Sequence, residues 1–361
     1  MNNLKKTVEQ FVSAKDIQVE LLGAGHINDS YKVSADGKNY VLQRINHLIF
    51  KNVPELQNNI MRVTAHIGGK LANKGVAELD RRVLSLVPAK DGQSFHLDEA
   101  GNYWRMTKFI ANSRSYDNIN PELARMAGVA FGEFQQMLSD LPAPPLYETI
   151  PDFHNMEYRL EQFWESVKLN RVGRFFEVSD LVGEIEQRVD EMCLPEKLYR
   201  EGKLPKRTNH CDTKVNNLLF DANGTEVLCV VDLDTVMPGF VLSDFGDFMR
   251  TGANNGDEDD TNLDRVSINL AIFEAYTDGY LQTASKFLTD TEVENLALGA
   301  KMLTYMQTVR FLTDYINGDI YYKVKHPKHN LERSYAQFKL LQSMEENFIE
   351  MQQIVALAAE K

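Results

Sequence analysis

The segment HCDTKVNNLLF, residues 210–220, decides how the rest of the chain is read. It places His210, Asp212, Lys214 and the pair Asn216-Asn217 in one short stretch and then turns apolar. LLF (218–220) and VLCVV (227–231) flank Asp221-Ala222-Asn223-Gly224-Thr225, whose Asn-Gly pair suits a tight hairpin. Antiparallel pairing sets the two ends far from the turn side by side. Asn217 enters the first strand and Asp232 leaves the second, so both side chains fall at one open end, within roughly 7 Å of each other. Asp212 lies in the same loop, shortly before Asn217. Two carboxylates and an amide gathered at a hairpin mouth are hard oxygen donors. They suit Mg²⁺, which shares its coordination with water and substrate phosphates, rather than zinc or copper.

Outward from this hairpin the chain changes character. On the N-terminal side, residues 4 to 14 carry apolar positions at helical spacing, and IQVELLGAGHINDSYKV alternates around a glycine turn at Gly23-Ala24-Gly25. Asp36-Gly37 signals a hairpin before NYVLQRI, so about fifty residues predict a helix and a small antiparallel sheet. PELQNNIMRVTAHIGGKL predicts a helix that Pro54 opens and Gly68-Gly69 closes. RRVLSLVPA, DGQSFHLD and NYWRMTKFI return to strands. From residue 121 onward the segments are amphipathic at helical period, including one at TEVENLALGAKMLTYMQTVRFLTDYI and a final helix over about 331–359. The break at IANSRSYDN gives two parts: residues 1–110, sheet-rich, and residues 111–361, mainly helical.

The chain has 361 residues, 43% hydrophobic and 25% charged, enough for two cores. Its net charge of −13 argues against nucleic acid or an anionic membrane as the main partner. No run approaches the roughly 20 apolar residues of a membrane span, and the N-terminus lacks the apolar stretch of a signal peptide. A cytoplasmic protein is expected. Three cysteines without a CxxC spacing suggest neither a disulfide framework nor a zinc site. NNGDEDDTNLD (254–264) lacks Gly at the sixth position and Glu at the twelfth of a calcium loop and reads as a solvated acidic loop.

His210-x-Asp212-x4-Asn217 followed by Asp232 resembles the kinase catalytic loop and metal aspartate. VVDLDT in place of Asp-Phe-Gly is similar to the aminoglycoside phosphotransferase and choline kinase superfamily. Within it the chain looks most like the N-acetylhexosamine 1-kinases, through GAGHINDSY (23–31), YVLQRIN (40–46), YWRMTKFI (103–110), HCDTKVNNLLF, VVDLDTVMPG (230–239), DFGD (244–247) and RFLTDYINGDIYY (310–322).

The resemblance implies an α+β, two-lobe protein-kinase-like fold, with a small antiparallel-sheet N-lobe, a larger mainly helical C-lobe and the site in the cleft between them. It implies transfer of the γ-phosphoryl group of ATP to the anomeric hydroxyl of GlcNAc or GalNAc, with Mg²⁺. Asp212 would receive or orient the acceptor hydroxyl, Asn217 and Asp232 would hold the metal, and ATP would lie under the turn of Gly23 and Gly25. The adenine would meet the backbone at Lys108, Phe109 and Ile110. His26 and Asn28 are candidates to reach phosphates or sugar, and Arg310 and Tyr321 would hold the sugar hydroxyls and line the N-acetyl side.

One position departs from the generic kinase pattern. Where a lysine holds the donor phosphates, the third strand offers Gln43, next to Arg44 on the opposite face. Lys214 is a candidate to neutralise the transferring phosphoryl group. Asp234 would support Asp232 or cap the segment after it, and Asp244 would order the loop or start a helix rather than act as the metal aspartate. Arg310 and Asp314, four apart on one helical face, are also spaced for a simple ion pair. The alternatives are another small-molecule kinase of this fold, acting on an aminoglycoside, choline or another sugar, and a non-catalytic pseudokinase, for which Gln43 is the only argument.

Overall fold

The computed structural model describes residues 2–22 and 27–361. It is α+β, and it divides into two compact units. One comprises residues 1–115, 137–151 and 217–237, the other residues 116–136, 152–216 and 238–361.

The first unit is built on an antiparallel sheet. Ile17–Leu21 pairs with Asp29–Ala35, which pairs with Lys38–Ile45, which pairs with Tyr103–Lys108; the short strands Leu86–Val87 and His96–Leu97 both pair with Tyr103–Lys108. The predicted Asp36-Gly37 turn is present, both residues having positive φ (47° and 79°) as a tight hairpin of this twist requires. Alternation buries Val33, Ala35, Leu42, Trp104 and Met106 on one face, where Val8 and Phe11 cover them.

Two helices here differ from expectation. The first spans only Asn2–Val8, and residues 9–11 close it as a tighter turn through Gln10 N–H to Thr7 and Phe11 N–H to Val8. The second spans Val53–Asn73 and runs straight through Gly68-Gly69. Each glycine costs a helix about 1 kcal/mol. Burial of Ile67 and the bond from Lys70 Nζ to the Met137 carbonyl (2.7 Å) outweigh that local preference.

The second unit is helical and centres on Leu296–Asn317, of whose 22 residues 19 are buried. Helix Val241–Gly252 presses against it backbone to backbone: a Cβ on Gly246 would lie 2.2 Å from the Gly299 carbonyl oxygen, and one on Gly299 2.5 Å from that of Leu242. Only glycine permits this approach. Met156, Leu160, Phe163, Ile185, Met306 and Leu341 form part of the core around the central helix.

Two helices expected to be continuous are broken at asparagines. Asn295 separates Asp290–Glu294 from Leu296–Asn317, and Asn347 separates His329–Glu346 from Phe348–Ala359. In both, the side-chain amide donates to the carbonyl four residues back, Thr291 at 2.8 Å and Ser343 at 2.7 Å. That bond competes with helix continuation. Among the described residues no helix is long and apolar enough to cross a membrane.

Candidate active site

In the helical unit the loop after strand Arg207–Asn209 carries Asp212 and Lys214. Its backbone is clamped by Asp244, which is 2% exposed on helix Val241–Gly252. His210 N–H donates to Asp244 Oδ2 (2.8 Å), Cys211 N–H to Oδ1 (2.7 Å) and Gln135 Nε2 to Oδ2 (2.7 Å). Thr213 Oγ1 donates to the Asp244 backbone carbonyl (2.5 Å). Successive N–H groups can face one carboxylate because Cys211 adopts a left-handed conformation, φ 61°. Asp244 therefore orders the loop, one of its two expected roles. His210 is fully buried, edge-on to Phe131 and Phe134 at 5.9 and 5.8 Å. Its place is in the packing.

Asp212 Oδ1 lies 3.1 Å from Lys214 Nζ, so the two candidates for catalysis are paired. A charged group buried at Asp247 and Arg250 and more exposed at Glu258 acts on them. Arg250 donates to Asp247 Oδ1 (2.9 Å) and to Glu258 Oε1 (2.5 Å). Burial pushes the Asp247 pKa up; Arg250 pulls against it, the Asp212 charge adds to the rise, and Lys214 opposes it. Asp247 and Arg250 were not singled out in the sequence. The available signal was their spacing from Asp244, which puts all three along one turn-by-turn row of a helix.

The same unit holds a cavity of about 300 Å³, whose lining includes Arg159, Gln162, Arg310, Thr313, Tyr321 and Tyr322. Arg310 and Tyr321 thus meet at one cavity. The Asp314 carboxylate does not pair with Arg310. Oδ1 accepts from the N–H groups of Ile320 (2.9 Å) and Tyr321 (2.8 Å), while Oδ2 accepts from Tyr322 N–H (2.9 Å) and Asn330 Nδ2 (2.8 Å). It fixes the loop after Gly318 and so aims both tyrosines. Arg310 donates to Gln307 Oε1 (3.1 Å), and its guanidinium lies over Phe153, Tyr322 and Tyr321 at 5.0, 5.7 and 6.0 Å.

The charge of Arg310 is felt by two neighbouring groups. Burial and then Arg310 lower the Arg159 pKa to about 10. His154, stacked on Phe153 at 4.5 Å, is held well below the usual imidazole range by burial and then by Arg310 and Arg159. Both causes favour its neutral form. Nothing in the sequence pattern marked His154 or Arg159.

In the sheet unit the hairpin forms as the sequence predicts. Leu218–Asp221 pairs with Val227–Val230, Leu218 opposite Val230, and Val231 N–H donates to the Asn217 carbonyl (2.9 Å). Asn217 and Asp232 are thereby at one end. The hairpin belongs to this unit because Ser113–Arg114 adds a third strand, while Ile110, Leu228 and Cys229 share a small core. Asp232 has φ 59° and ψ 58°, a left-handed conformation uncommon outside glycine and enriched at functional positions. Among the described residues no group of three or more His, Cys, Asp or Glu could hold a metal ion. The donor set fits Mg²⁺ nonetheless, since that ion takes one or two protein carboxylates and completes its shell with water and phosphate oxygens.

Asp234, 3% exposed, lies two residues beyond Asp232, within the 3₁₀ turn Leu233–Thr235. It pairs with the buried Arg105, and its Oδ2 accepts from Asn28 Nδ2 (2.5 Å). Asn28 Oδ1 in turn accepts from Asn46 N–H (2.9 Å). Gln43 Oε1 accepts from Arg105 Nε (2.9 Å), and Gln43 Nε2 donates to Ser30 Oγ (2.9 Å). Lys108 Nζ reaches Asp80 (2.6 Å), while the N–H groups of Lys108 and Phe109 donate to the carbonyls of Ser85 and Asn39. Ile110 is buried, and its carbonyl accepts from Ser113 Oγ (2.6 Å). Gly23, Gly25 and His26 lie outside the described residues.

An antiparallel sheet unit with an Asn–Asp hairpin mouth, and a helical unit with a clamped Asp–Lys loop and a cavity lined by arginines and tyrosines, are the parts of a kinase-like phosphotransferase. Residues 18–284 match the phosphotransferase enzyme family (APH), and the chain belongs to that family. Solved structures of the same fold include an aminoglycoside phosphotransferase from Alicyclobacillus acidocaldarius, with TM-score 0.62 and 11% identity, covering 98% of this chain and 96% of that one. A microcompartment-associated aminopropanol kinase has TM-score 0.61 and 13% identity over 97% and 98% of the two chains. A spectinomycin phosphotransferase solved with ADP and spectinomycin has TM-score 0.56 and 12% identity over 100% and 98%.

Proposed function

We propose that this phosphotransferase moves the γ-phosphoryl group of ATP to the anomeric hydroxyl of an N-acetylhexosamine, GlcNAc or GalNAc. The observation that carries the reading is the cavity of Arg310 and Tyr321. Its volume, about 300 Å³, sits at the small end of ligand pockets. Forked guanidinium donors, amide groups and aromatic walls are what a neutral polyol needs. Aminoglycosides, choline and aminopropanol are cations. Arg159 and Arg310 line the cavity together with Glu165 and with Asp314, whose oxygens are taken by backbone and Asn330 donors, so it holds no excess of carboxylates for such a cation.

In this reading Asp212 accepts a hydrogen bond from the C1 hydroxyl and aligns it for in-line attack. A bond forms between the C1 oxygen and the γ-phosphorus as the bond to the β–γ bridging oxygen breaks. ADP leaves with that oxygen, and the hydroxyl proton passes to Asp212. The anomeric hydroxyl is the most acidic of the sugar, so a carboxylate is base enough. Lys214 offsets charge on the moving phosphoryl group, and Arg310 and Tyr321 hold the ring. Asn217 and Asp232 would hold Mg²⁺, which supplies charge neutralisation on the donor phosphates. Gly23, Gly25, His26 and Asn28 would belong to the turn over the nucleotide, with adenine at 108–110. A cytoplasmic location goes with use of ATP. The test is an ADP-release assay with GlcNAc, GalNAc, choline and kanamycin, with product regiochemistry read by phosphorus NMR. Turnover with an amine acceptor and none with either hexosamine overturns the reading.

A further inference from the structure

The third strand carries glutamine where kinase-like sites carry the lysine of the donor phosphates. The structure shows what stands across from it. In the strand pairing, Gln43 is directly opposite Arg105. The two side chains bond, Arg105 Nε to Gln43 Oε1 at 2.9 Å, and the far side of the guanidinium pairs with Asp234. Both charged groups are 4% exposed.

A buried ion pair is a poor device for stability alone, since desolvating two charges consumes most of what their attraction returns. Its position gives it another use. Burial pulls the Arg105 pKa down, but Asp234 and then Asp232 push it up by more. Arg105 therefore stands in the field of the aspartate expected to hold the metal, as well as of its neighbour. Gln43, anchored by Ser30 Oγ, fixes the plane of the guanidinium; Asn28, anchored by Asn46 N–H, fixes the other oxygen of Asp234. These bonds hold the arginine and its partner carboxylate in one orientation.

We infer that Arg105 is the cation of the nucleotide site in this enzyme, its charge moved across one strand pair from position 43, acting as a positioning residue through Asp234 on Asp232. The inference rests on the kinase reading. It does not depend on which acceptor the enzyme uses.

The test is calorimetric titration of Mg²⁺ with a non-hydrolysable ATP analogue, without turnover, into four proteins. These are the wild type, Arg105→Gln, the double variant Gln43→Lys with Arg105→Gln, and Arg105→Lys. Loss of a residue supporting a metal ligand costs on the order of 10–100-fold in affinity, and that is the drop expected for Arg105→Gln. The double variant, which puts the charge back on the third strand, recovers most of it; a residue needed only for packing would gain nothing from a lysine at position 43. Wild-type affinity in Arg105→Gln, or a double variant no better than the single one, overturns the inference. Where the glutamine variants do not fold by circular dichroism, Arg105→Lys decides: retained affinity upholds a role for the charge, and lost affinity overturns it. Failure of the wild type itself to bind the nucleotide would instead refute the kinase reading.

Discussion

Asp244→Asn separates two ways of reading DFGD at 244–247. The substitution keeps shape and volume and leaves one acceptor oxygen. The carboxylate accepts from His210 N–H, Cys211 N–H and Gln135 Nε2, two of them on Oδ2. The new NH₂ group therefore does least harm where Oδ1 was, facing Cys211 N–H. One buried backbone donor is then unsatisfied, at about 1–3 kcal/mol. Loss of charge assistance in the remaining bonds adds about 1 kcal/mol, for a total of about 2–4 kcal/mol. In a domain of this size that lowers Tm by roughly 5–15 °C. Cys211 immediately precedes Asp212, so release of its N–H displaces the proposed base, and a shift of about 1 Å costs on the order of a hundredfold in kcat. Scanning calorimetry and the ADP-release assay read both effects. Nucleotide affinity and the Mg²⁺ concentration dependence are expected to stay at wild-type values, because the proposed metal ligands are Asn217 and Asp232 and the oxygens of Asp244 are taken by the loop. Unchanged Tm and kcat, or a variant whose activity returns with excess Mg²⁺, refutes the clamp.

Three further outcomes are expected. Asp212→Asn nearly abolishes turnover with nucleotide affinity kept, and turnover within a few-fold of wild type in the same assay removes Asp212 from its role. Arg310→Ala raises the acceptor KM by on the order of tenfold or more with little change in the KM for ATP, the signature of a lost binding group; equal effects on both substrates would place Arg310 elsewhere. Glu196 has its pKa raised to about 7, chiefly by burial, with one oxygen accepting from Met156 N–H (2.6 Å). The folded state then holds the proton more tightly than the unfolded chain, so stability falls as pH rises from about 4.5 to 7 and stays lower above that. Glu196→Gln keeps the acceptor and removes the titration. It should be more stable than wild type at pH 8, by up to about 3 kcal/mol, and equal to it near pH 4.5. Parallel pH–stability curves from denaturant melts would show that Glu196 does not titrate in this range.

Much of the fold was legible because its signals are local. The Asp36-Gly37 turn, the 217–232 hairpin and the helical period beyond residue 121 each depend on residues within one or two turns of chain. The errors came where distant packing or a side-chain bond overruled propensity. Examples are the helix that passes through Gly68-Gly69 and the two helices cut by Asn295 and Asn347.

The candidate site divides the same way. Sequence spacing alone put Asn217 and Asp232 at one hairpin end, and placed Asp212 with Lys214 in one short loop, because hydrogen-bonding period and chain length fix those relations. Only tertiary structure decided that Asp314 serves the loop of Tyr321 instead of Arg310, that Asp244 grips the backbone before Asp212, and that Arg105 stands opposite Gln43. Those partners are separated along the chain, and what joins them is the need to neutralise charge and satisfy donors once burial has removed water, a demand that exists only after the chain has folded.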